Sequence, residues 1–285
     1  MYKIAQENDV SKLLEYFEQD LKNCLYSYID LKKFGIDNPN LTVYFDADQS
    51  QVDCMSCSNK LADCEYGLKV DDIQCTALKY YEGLQLFDAK GKMDAEATAH
   101  LIRQLNSHIV SSTVDVIEKL YPLLKDSYEM EQGYVTEMLS MPECEISKDV
   151  RPAKLEEYDE ISKLICSDAG VGGHYEPEEL KEQLLTRLSE GMGRNYVLKK
   201  DGEIIHHAAT YAELDNLAVI SGVITREDYR GKGIGTLAIR KLCHDLLSEG
   251  KKPCLFYYTK QAEGFYRKIG FEEGTGWAKL VLRKE

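Results

Sequence analysis

Glycines alternate with other residues in the segment Arg230-Gly-Lys-Gly-Ile-Gly-Thr236. A glycine-rich turn before a helix lets backbone N–H groups approach a phosphate closely, and the helix N-terminus adds partial positive charge. Arg230 and Lys232 supply full charges, and Arg226 lies just upstream. The segment therefore predicts a phosphate- or pyrophosphate-binding turn. The alternative is a glycine-rich turn that only caps a helix.

Two common phosphate-binding sequences are absent from this segment. It lacks the Gly-Lys-Ser/Thr of a Walker A loop and the Gly-x-Gly-x-x-Gly of a dinucleotide-binding turn. Before the glycines, Val219–Thr225 is rich in β-branched residues, which predicts a buried strand. After them, Thr236–Leu247 has apolar residues at helical spacing. A strand, a turn and a helix must therefore position the amides.

Two motifs in this half of the chain resemble those of the GNAT family of N-acetyltransferases. Arg230–Gly235 resembles its Arg/Gln-x-x-Gly-x-Gly/Ala signature, which cradles the coenzyme A pyrophosphate. Tyr257–Phe271 resembles the closing motif Asn-x-x-Ala-x-x-Leu-Tyr-x-Lys-x-Gly-Phe, with Thr259 in place of Asn and Phe265 in place of Leu. The resemblance covers about residues 150–285.

The resemblance implies an α+β fold in which helices flank a mainly antiparallel central sheet. It implies acetyl-CoA as cosubstrate, a small-molecule or peptide primary amine as acceptor, and thioester polarisation by backbone N–H groups at the end of the Val219 strand. The residues that it implies for coenzyme A binding are Val223, Ile224, Thr225, Arg230, Gly231, Lys232, Gly233, Ile234, Gly235, Thr236 and Thr259.

Acyl transfer to an amine has three chemical requirements. The amine must lose a proton, because an alkylammonium of pKa ~10.4 has no lone pair for attack. Fixed donors must polarise the thioester carbonyl. The departing thiolate, of pKa ~8.5, is helped by a proton donor. A coenzyme A-binding module without turnover is the alternative function.

Tyr266 matches the position of the family's general-acid tyrosine; the alternative is a core aromatic. Glu213 ends the strand before Val219, where some family members place a carboxylate, and is the candidate base. A chain of water molecules or a solvated turn carboxylate are the alternatives for that position. His206 and His207 occupy opposite faces of one strand, and a hydrogen-bonded core histidine is the favoured interpretation.

Chain length and net charge indicate the number of domains and the kinds of binding partner. A chain of 285 residues predicts two domains, taken as an N-terminal α/β domain over 1–145 and an acetyltransferase domain over 148–285. The net charge is −14, of which −13 falls in residues 1–150. This acidity argues against nucleic-acid binding, since phosphate contacts require a basic face. The sequence has neither an apolar membrane span nor a signal peptide, so we expect no membrane partner and a cytoplasmic location.

The N-terminal half contains no visible catalytic motif. We expect one long helix from Asp9 to Gly35, a strand at Leu41–Phe45, another at Gly83–Asp88, and helices at Asp94–Gln104 and Ser112–Lys125. This layout resembles the degenerate N-terminal halves of some two-lobed acetyltransferases; the alternative is an unrelated accessory domain. Its expected role is a substrate-side wall or homodimer surface, or packing support alone.

Two further segments have alternative interpretations. Cys54 and Cys57 form one close pair, with Cys64 and Cys75 beyond. A structural zinc site usually needs two such pairs, so we expect reduced thiols and no metal. The glycine-rich loop at 169–174 is either a lid over the acceptor or a plain surface turn.

Overall fold

The structure is a computed structural model that describes residues 2–47, 68–168, 171 and 176–283. The chain divides into two compact units. Unit 1 consists of Met1–Tyr134 and Thr275–Glu285, and unit 2 is Val135–Gly274. The last strand pairs with a strand of unit 1. The domain ranges 1–145 and 148–285 stay predictions.

The strands and helices follow one another along the chain as follows. The strands are β1 (Lys3–Ile4), β2 (Leu41–Ala47), β3 (Ile73–Tyr80), β4 (Gly83–Phe87), β5 (Ile109–Thr113), β6 (Tyr128–Glu137), β7 (Val150–Pro152), β8 (Asn195–Lys200), β9 (Glu203–Glu213), β10 (Leu217–Thr225), β11 (Lys252–Tyr257) and β12 (Thr275–Leu282). The α-helices are α1 (Val10–Phe17), α2 (Leu25–Phe34), α3 (Ala95–Leu105), α4 (Val114–Leu124), α5 (Tyr158–Cys166), α6 (Pro177–Ser189), α7 (Ile234–Ser248) and α8 (Lys260–Ile269).

Unit 1 is built on the strand order β1-β2-β3-β4-β5-β12. Neighbours are antiparallel except β4 and β5, which are parallel. Apolar side chains of α3 and α4 pack with those of β3, β4, β5 and β12 in one core cluster. The sequence analysis did not predict β3, and it placed Ser112 and Thr113 in a helix although they end β5.

The prediction of one continuous helix from Asp9 to Gly35 is wrong for the middle of that range. A 3₁₀ segment, Glu18–Asn23, separates α1 from α2, and Asp20 leaves the helical region with φ −156° and ψ 71°. The Asn23 side chain donates to the Asp20 carboxylate, and the Cys24 thiol donates to the carbonyls of Phe17 and Asp20. These local bonds compete with the helical ones, as polar side chains commonly do. The end of α2 before Gly35 is as predicted.

Unit 2 has the predicted mixed α/β fold with mainly antiparallel strands. Strands β7, β8, β9 and β10 pair antiparallel in sequence order, and β11 pairs parallel to β10 after the α7 connection. A tight turn after Lys200 joins β8 to β9. Asp201 and Gly202 have φ of 52° and 87° there, as a two-residue turn between twisted strands requires.

Helices cover the two faces of the unit 2 sheet. His206 and His207 are consecutive in β9, so their side chains point to opposite faces. Ile224, which pairs with His207, belongs to the core cluster formed with α5 and α6. On the other face, His206 approaches Gly235 of α7. The site described below lies on the α7 face, at the end of β10.

Several predictions concern residues outside the described ones. Cys54, Cys57, Cys64 and most of the 169–174 loop lie outside them, so the predictions for these residues stay predictions. Cys75 is a buried free thiol. Over the ranges that the structure covers, no three His, Cys, Asp or Glu residues group as metal ligands. Within the same ranges no helix combines the length and apolar character needed to cross a bilayer.

Candidate functional site

The loop between β10 and α7 has the backbone shape that its glycines allow. Gly231 and Gly233 both have φ of 76°, in the left-handed region that residues with a Cβ rarely adopt. Gly233 occupies the N-cap of α7 and contributes no side-chain cap. The chain can therefore turn sharply into the helix without covering its first turn.

The start of α7 presents backbone donors to the space around it. The first N–H groups of an α-helix have no intrahelical acceptor. Leu237 is the first residue whose N–H bonds back to the loop, to the Gly233 carbonyl at 3.3 Å. The N–H groups of Ile234, Gly235 and Thr236 precede it. Together with the helix dipole, they form an anion-binding site of the kind that suits a pyrophosphate.

A cavity of about 530 Å³ joins this helix start to α8. It lies entirely within unit 2. The lining residues are Asp168, Val171, His206, Val223, Ile224, Thr225, Tyr229, Arg230, Gly231, Gly233, Ile234, Gly235, Thr236, Thr259, Gln261, Ala262, Phe265 and Tyr266. All the sequence-predicted coenzyme A residues except Lys232 are among them. The size falls in the range of small-molecule sites.

Arg230 connects the loop to the end of α5. Its Nε donates to the Thr225 carbonyl at 2.9 Å, and its Nη2 donates to the Asp168 carboxylate at 2.8 Å. The Arg230 side chain is half exposed, so this ion pair is open to solvent. An incoming diphosphate would compete with Asp168 for the same guanidinium. The sequence analysis missed Asp168, because it is distant in sequence and no motif marks it.

Positive side chains surround the ring of Tyr229 at the rim of the cavity. The Lys232 and Lys200 ammonium groups lie 4.9 and 5.4 Å from the ring centroid, and the Arg226 guanidinium lies 5.0 Å from it. Arg226 also pairs with Asp228, and Lys232 donates to the Asp228 carbonyl. Lys232 therefore contributes charge at the rim and not in the cavity itself.

Tyr266 lies on α8 and also lines the cavity. Its ring contacts Phe265, Phe271 and Tyr257, with centroids 5.0, 5.6 and 6.1 Å away. Burial, followed by the nearby Cys243, raises the pKa of Tyr266 to about 12. The phenol therefore carries its proton at neutral pH, as a hydrogen-bond or proton donor must.

Thr259 begins α8 and also lines the cavity. Its hydroxyl accepts from the Ala262 N–H at 3.1 Å, which makes Thr259 the N-cap of the helix. The hydroxyl thus has a structural role that the Asn of the family's closing motif could also perform. Phe265, one turn on, would touch a side chain placed at Gly235, at 3.4 Å. A glycine there keeps α7 and α8 close together.

The end of β10 departs from regular pairing beside the cavity. Its register with β9 shifts between Ser221 and Ile224, and its parallel pairing with β11 runs only from Leu217 to Ile220. Gly222 lies in this bulge with φ of 60°. A bulge leaves backbone groups outside the ladder. Residues 223–225 therefore line the cavity at the point where β10 and β11 separate.

The two histidines of β9 hold this strand end from both faces. The His207 ring contacts the Gly222 carbonyl through Nδ1 at 2.7 Å and the Asn195 side chain through Nε2 at 2.8 Å. The His206 Nδ1 lies 2.7 Å from the Thr225 hydroxyl. His206 Nε2 is buried, and no residue that the structure describes bonds to it. The prediction of hydrogen-bonded core histidines therefore fits His207 fully and His206 only at one nitrogen.

Glu213 lies away from the cavity, in contrast to its predicted role as base. The register places it opposite Ala218, whereas His206 is opposite Thr225. Seven residues of β10 separate these positions, roughly 20 Å at ~3.3 Å per residue. The preceding strand is antiparallel to β10, so its end lies beside the beginning of β10 and not beside the loop.

The Glu213 carboxylate is also fully engaged. Arg194 donates to both of its oxygens at 2.8 and 2.7 Å, and Lys251 donates at 2.6 Å. Burial opposes ionisation of Glu213, but hydrogen bonds from Arg194, Lys251 and Thr210 outweigh it and lower the pKa. A carboxylate held in this way is a weak base. Glu213 is therefore a structural ion-pair partner.

Part of the chain matches the model of a known protein family. Residues 158–271 match the acetyltransferase (GNAT) family. A GNAT-family acetyltransferase from Colwellia psychrerythraea has a TM-score of 0.58 at 12% identity over 100% of both chains. A GCN5-related N-acetyltransferase from Sphaerobacter thermophilus has a TM-score of 0.60 at 11% identity, over 98% of this chain and 94% of that one.

A shorter structure, a GCN5-related N-acetyltransferase from Kribbella flavida, gives a TM-score of 0.54 at 16% identity. It covers 74% of this chain and 88% of its own. No curated protein matches the sequence. At these identities the likeness concerns the fold, and the chemistry must be argued from the site.

Proposed function

We propose that the protein transfers an acetyl group from acetyl-CoA to a primary amine, on the premise that residues 158–271, which match the acetyltransferase (GNAT) family, form a domain of that family. The observation that carries the proposal is the single cavity described above. Its lining includes the first residues of α7, whose N–H groups have no intrahelical acceptor, and Tyr266. These are an anion site and a proton donor, which are the two fixed points that a thioester of coenzyme A requires.

The residues of the cavity fit coenzyme A in charge and shape. The amides of Ile234, Gly235 and Thr236 would bind the pyrophosphate, with Arg230 released from Asp168. The end of β10 would bind the extended arm, because strand-end backbone groups can pair with amides of that arm. The apolar ring of Phe265 and the side chain of Ile224 line the same path.

The transfer itself exchanges a C–S bond for a C–N bond. A neutral amine attacks the thioester carbon, and its lone pair forms the new C–N bond while the carbonyl takes up negative charge. A backbone N–H near Val223 would stabilise this oxyanion. The C–S bond then breaks, and sulfur takes a proton from Tyr266. The proton that the amine loses restores the phenol, so the net reaction moves one proton from nitrogen to sulfur.

A coenzyme A-binding module without turnover is the second candidate. One observation favours it: among the described residues that line the cavity, the sole carboxylate is Asp168, which is paired with Arg230. A site without a free carboxylate must remove the proton of the amine by another route, or it does not catalyse transfer at all. The two candidates differ in turnover and agree on binding.

The test is thiol release from acetyl-CoA with a panel of amines. Tyr266→Phe should lower kcat by about 100-fold or more, the usual contribution of general acid catalysis. Coenzyme A should still protect the Tyr266→Phe variant against thermal unfolding. Tyr121→Phe, in unit 1, removes a phenol distant in sequence from the site and serves as the control. Wild-type rates in Tyr266→Phe would remove the phenol from the chemistry, and protection without turnover for any amine would favour the binding module.

A further inference from the structure

Arg187 lies on α6, on the opposite face of the sheet from the cavity. Leu180 and Leu184 of the same helix pack into the core cluster that includes Ile224. Arg187 follows Leu184 by three residues, so it projects from the same side of the helix. Its guanidinium lies 4.5 Å from the ring centroid of Tyr211 on β9. The stack therefore continues the packed face of α6 toward the sheet.

The Arg187 guanidinium has an unmet hydrogen-bond donor. Its Nη1 is buried, and no acceptor among the described residues bonds to it. A buried donor without an acceptor is unfavourable and rare in native proteins. Arg240 is similar, because its buried Nε has no acceptor among the described residues. Five other arginines of unit 2 pair with carboxylates; they are Arg151, Arg194, Arg226, Arg230 and Arg267. For Arg187 no such ion pair is found in the described part of the chain.

The Tyr211 ring brings this guanidinium to the bulge of β10. A Cβ placed on Gly222 would lie 2.8 Å from the Tyr211 hydroxyl and 3.1 Å from the His207 ring. Gly222 is the neighbour of Val223, which lines the cavity on the other face. One tyrosine ring therefore spans the distance from Arg187 to the strand end where the thioester carbonyl would be held.

Stacking leaves the guanidinium able to bind an anion. A guanidinium on an aromatic ring uses its flat face, whereas its N–H groups point outward in the plane of the group. That fork fits a carboxylate or a phosphate with two parallel hydrogen bonds. Arg187 is also half-buried, and a partly desolvated cation binds an anion more strongly than an exposed one.

We infer that Arg187, stacked on Tyr211, is a specificity residue that binds an anionic group of the acceptor, a carboxylate or a phosphate, while the amine of the acceptor meets the thioester at the β10 bulge. The inference rests on the proposed function and narrows it to amines that carry a nearby negative charge. The spacing of one aromatic ring suits an acceptor with a few bonds between the amine and the anion. A diamine or an uncharged amine would leave the guanidinium unpaired.

The experiment compares amines that differ only in that charge. Amino acids are paired with their carboxamides, and O-phosphoethanolamine is paired with ethanolamine, so that the carboxylate and phosphate arms are read separately. Wild-type protein should prefer the anionic member of one pair by about tenfold or more in kcat/KM. Arg187→Gln should abolish the preference by raising the KM of the anionic amine. Arg187→Lys should keep part of the preference. Arg240→Gln is the control, because Arg240 of α7 also has no carboxylate partner among the described residues. This variant should keep the full preference.

A binding measurement separates this inference from the proposed function. With coenzyme A present, the anionic amine should raise the unfolding temperature of wild type and not of Arg187→Gln, whether or not turnover occurs. Coenzyme A alone should protect both proteins equally. Equal treatment of charged and uncharged amines by wild type would overturn the inference, and so would a preference that survives in Arg187→Gln. If coenzyme A did not raise the unfolding temperature of the wild-type protein, the proposed function itself would be overturned.

Discussion

Mild acid should destabilise unit 2 through the two buried histidines of β9. Burial, followed by the charge of His207, lowers the pKa of His206 to about 3, and burial lowers that of His207 to about 4. The unfolded chain takes up these protons near pH 6.5 and the folded chain only far below it. The unfolded state therefore binds more protons, and stability falls as the pH falls below about 6.5.

The size of the effect follows from these pKa differences. Between pH 7 and pH 5 each histidine costs about 2 kcal/mol of unfolding free energy, since one pKa unit corresponds to ~1.4 kcal/mol. Together they remove about 4 kcal/mol, a large part of the ~5–15 kcal/mol that stabilises a typical domain. Carboxylates with lowered pKa, such as Glu157 at about 2, lose their contribution mainly below pH 4.5. The window from pH 7 to pH 5 therefore reports the histidines.

Unit 1 should respond in the opposite direction. Burial raises the pKa of Asp30 to about 7, although the Gln85 side chain donates to it and partly offsets the shift. For an acid with a raised pKa the folded state binds the proton first, so acid stabilises it. Between pH 7 and pH 5 unit 1 should gain about 2 kcal/mol. The same titration thus weakens one unit and strengthens the other.

Hydrogen exchange followed by mass spectrometry can read both units in one sample. Opening free energies from peptides of β9 and β10 should fall from pH 7 to pH 5, and those from α2 and β4 should rise. His207→Gln should halve the fall in unit 2, and Asp30→Asn should abolish the rise in unit 1. His108→Gln, an exposed histidine of unit 1, is the control. Parallel changes in both units, or an unchanged fall in His207→Gln, would refute the assignment of these protons.

Three further substitutions test the site. Gly233→Asp should abolish the protection that coenzyme A gives against thermal unfolding. Gly250→Asp is the control and should keep this protection, because Gly250 lies after the other end of α7 with φ of 78° and also has free space around it. Equal protection of the two variants would show that the loop is not part of the site. Glu213→Gln should lower the free energy of unfolding by about 3 kcal/mol, because it breaks the ion pairs of Glu213. The folded fraction should keep the wild-type kcat. A loss of turnover without a loss of stability would show that Glu213 takes part in the reaction. Asp168→Asn should tighten coenzyme A binding up to about fivefold in calorimetry, since a surface ion pair contributes ~0–1 kcal/mol; weaker binding would show that Asp168 supports the site.

Features carried by neighbouring residues were predictable from the sequence. The glycines at 231, 233 and 235 indicated a turn before a helix, and Gly231 and Gly233 have positive φ there. A helix end at Gly35 was also predicted, and α2 ends at Phe34. Each of these features depends on the conformation of two or three adjacent residues, so nothing distant can change it. The break in the long N-terminal helix shows the limit, because its hydrophobic pattern continued through a segment that local hydrogen bonds interrupt.

The sequence by itself determined the glycine-rich turn at residues 230–236 and the helix that follows it, because glycine conformation and helical spacing are local properties. Only the tertiary structure decided what shares the cavity with them. Antiparallel pairing placed Glu213 beside the beginning of β10 and His206 beside Thr225 at its end. Long-range folding of the chain brought Asp168 into an ion pair with Arg230. Register and long-range packing depend on which segments pair, and no stretch of neighbouring residues contains that information.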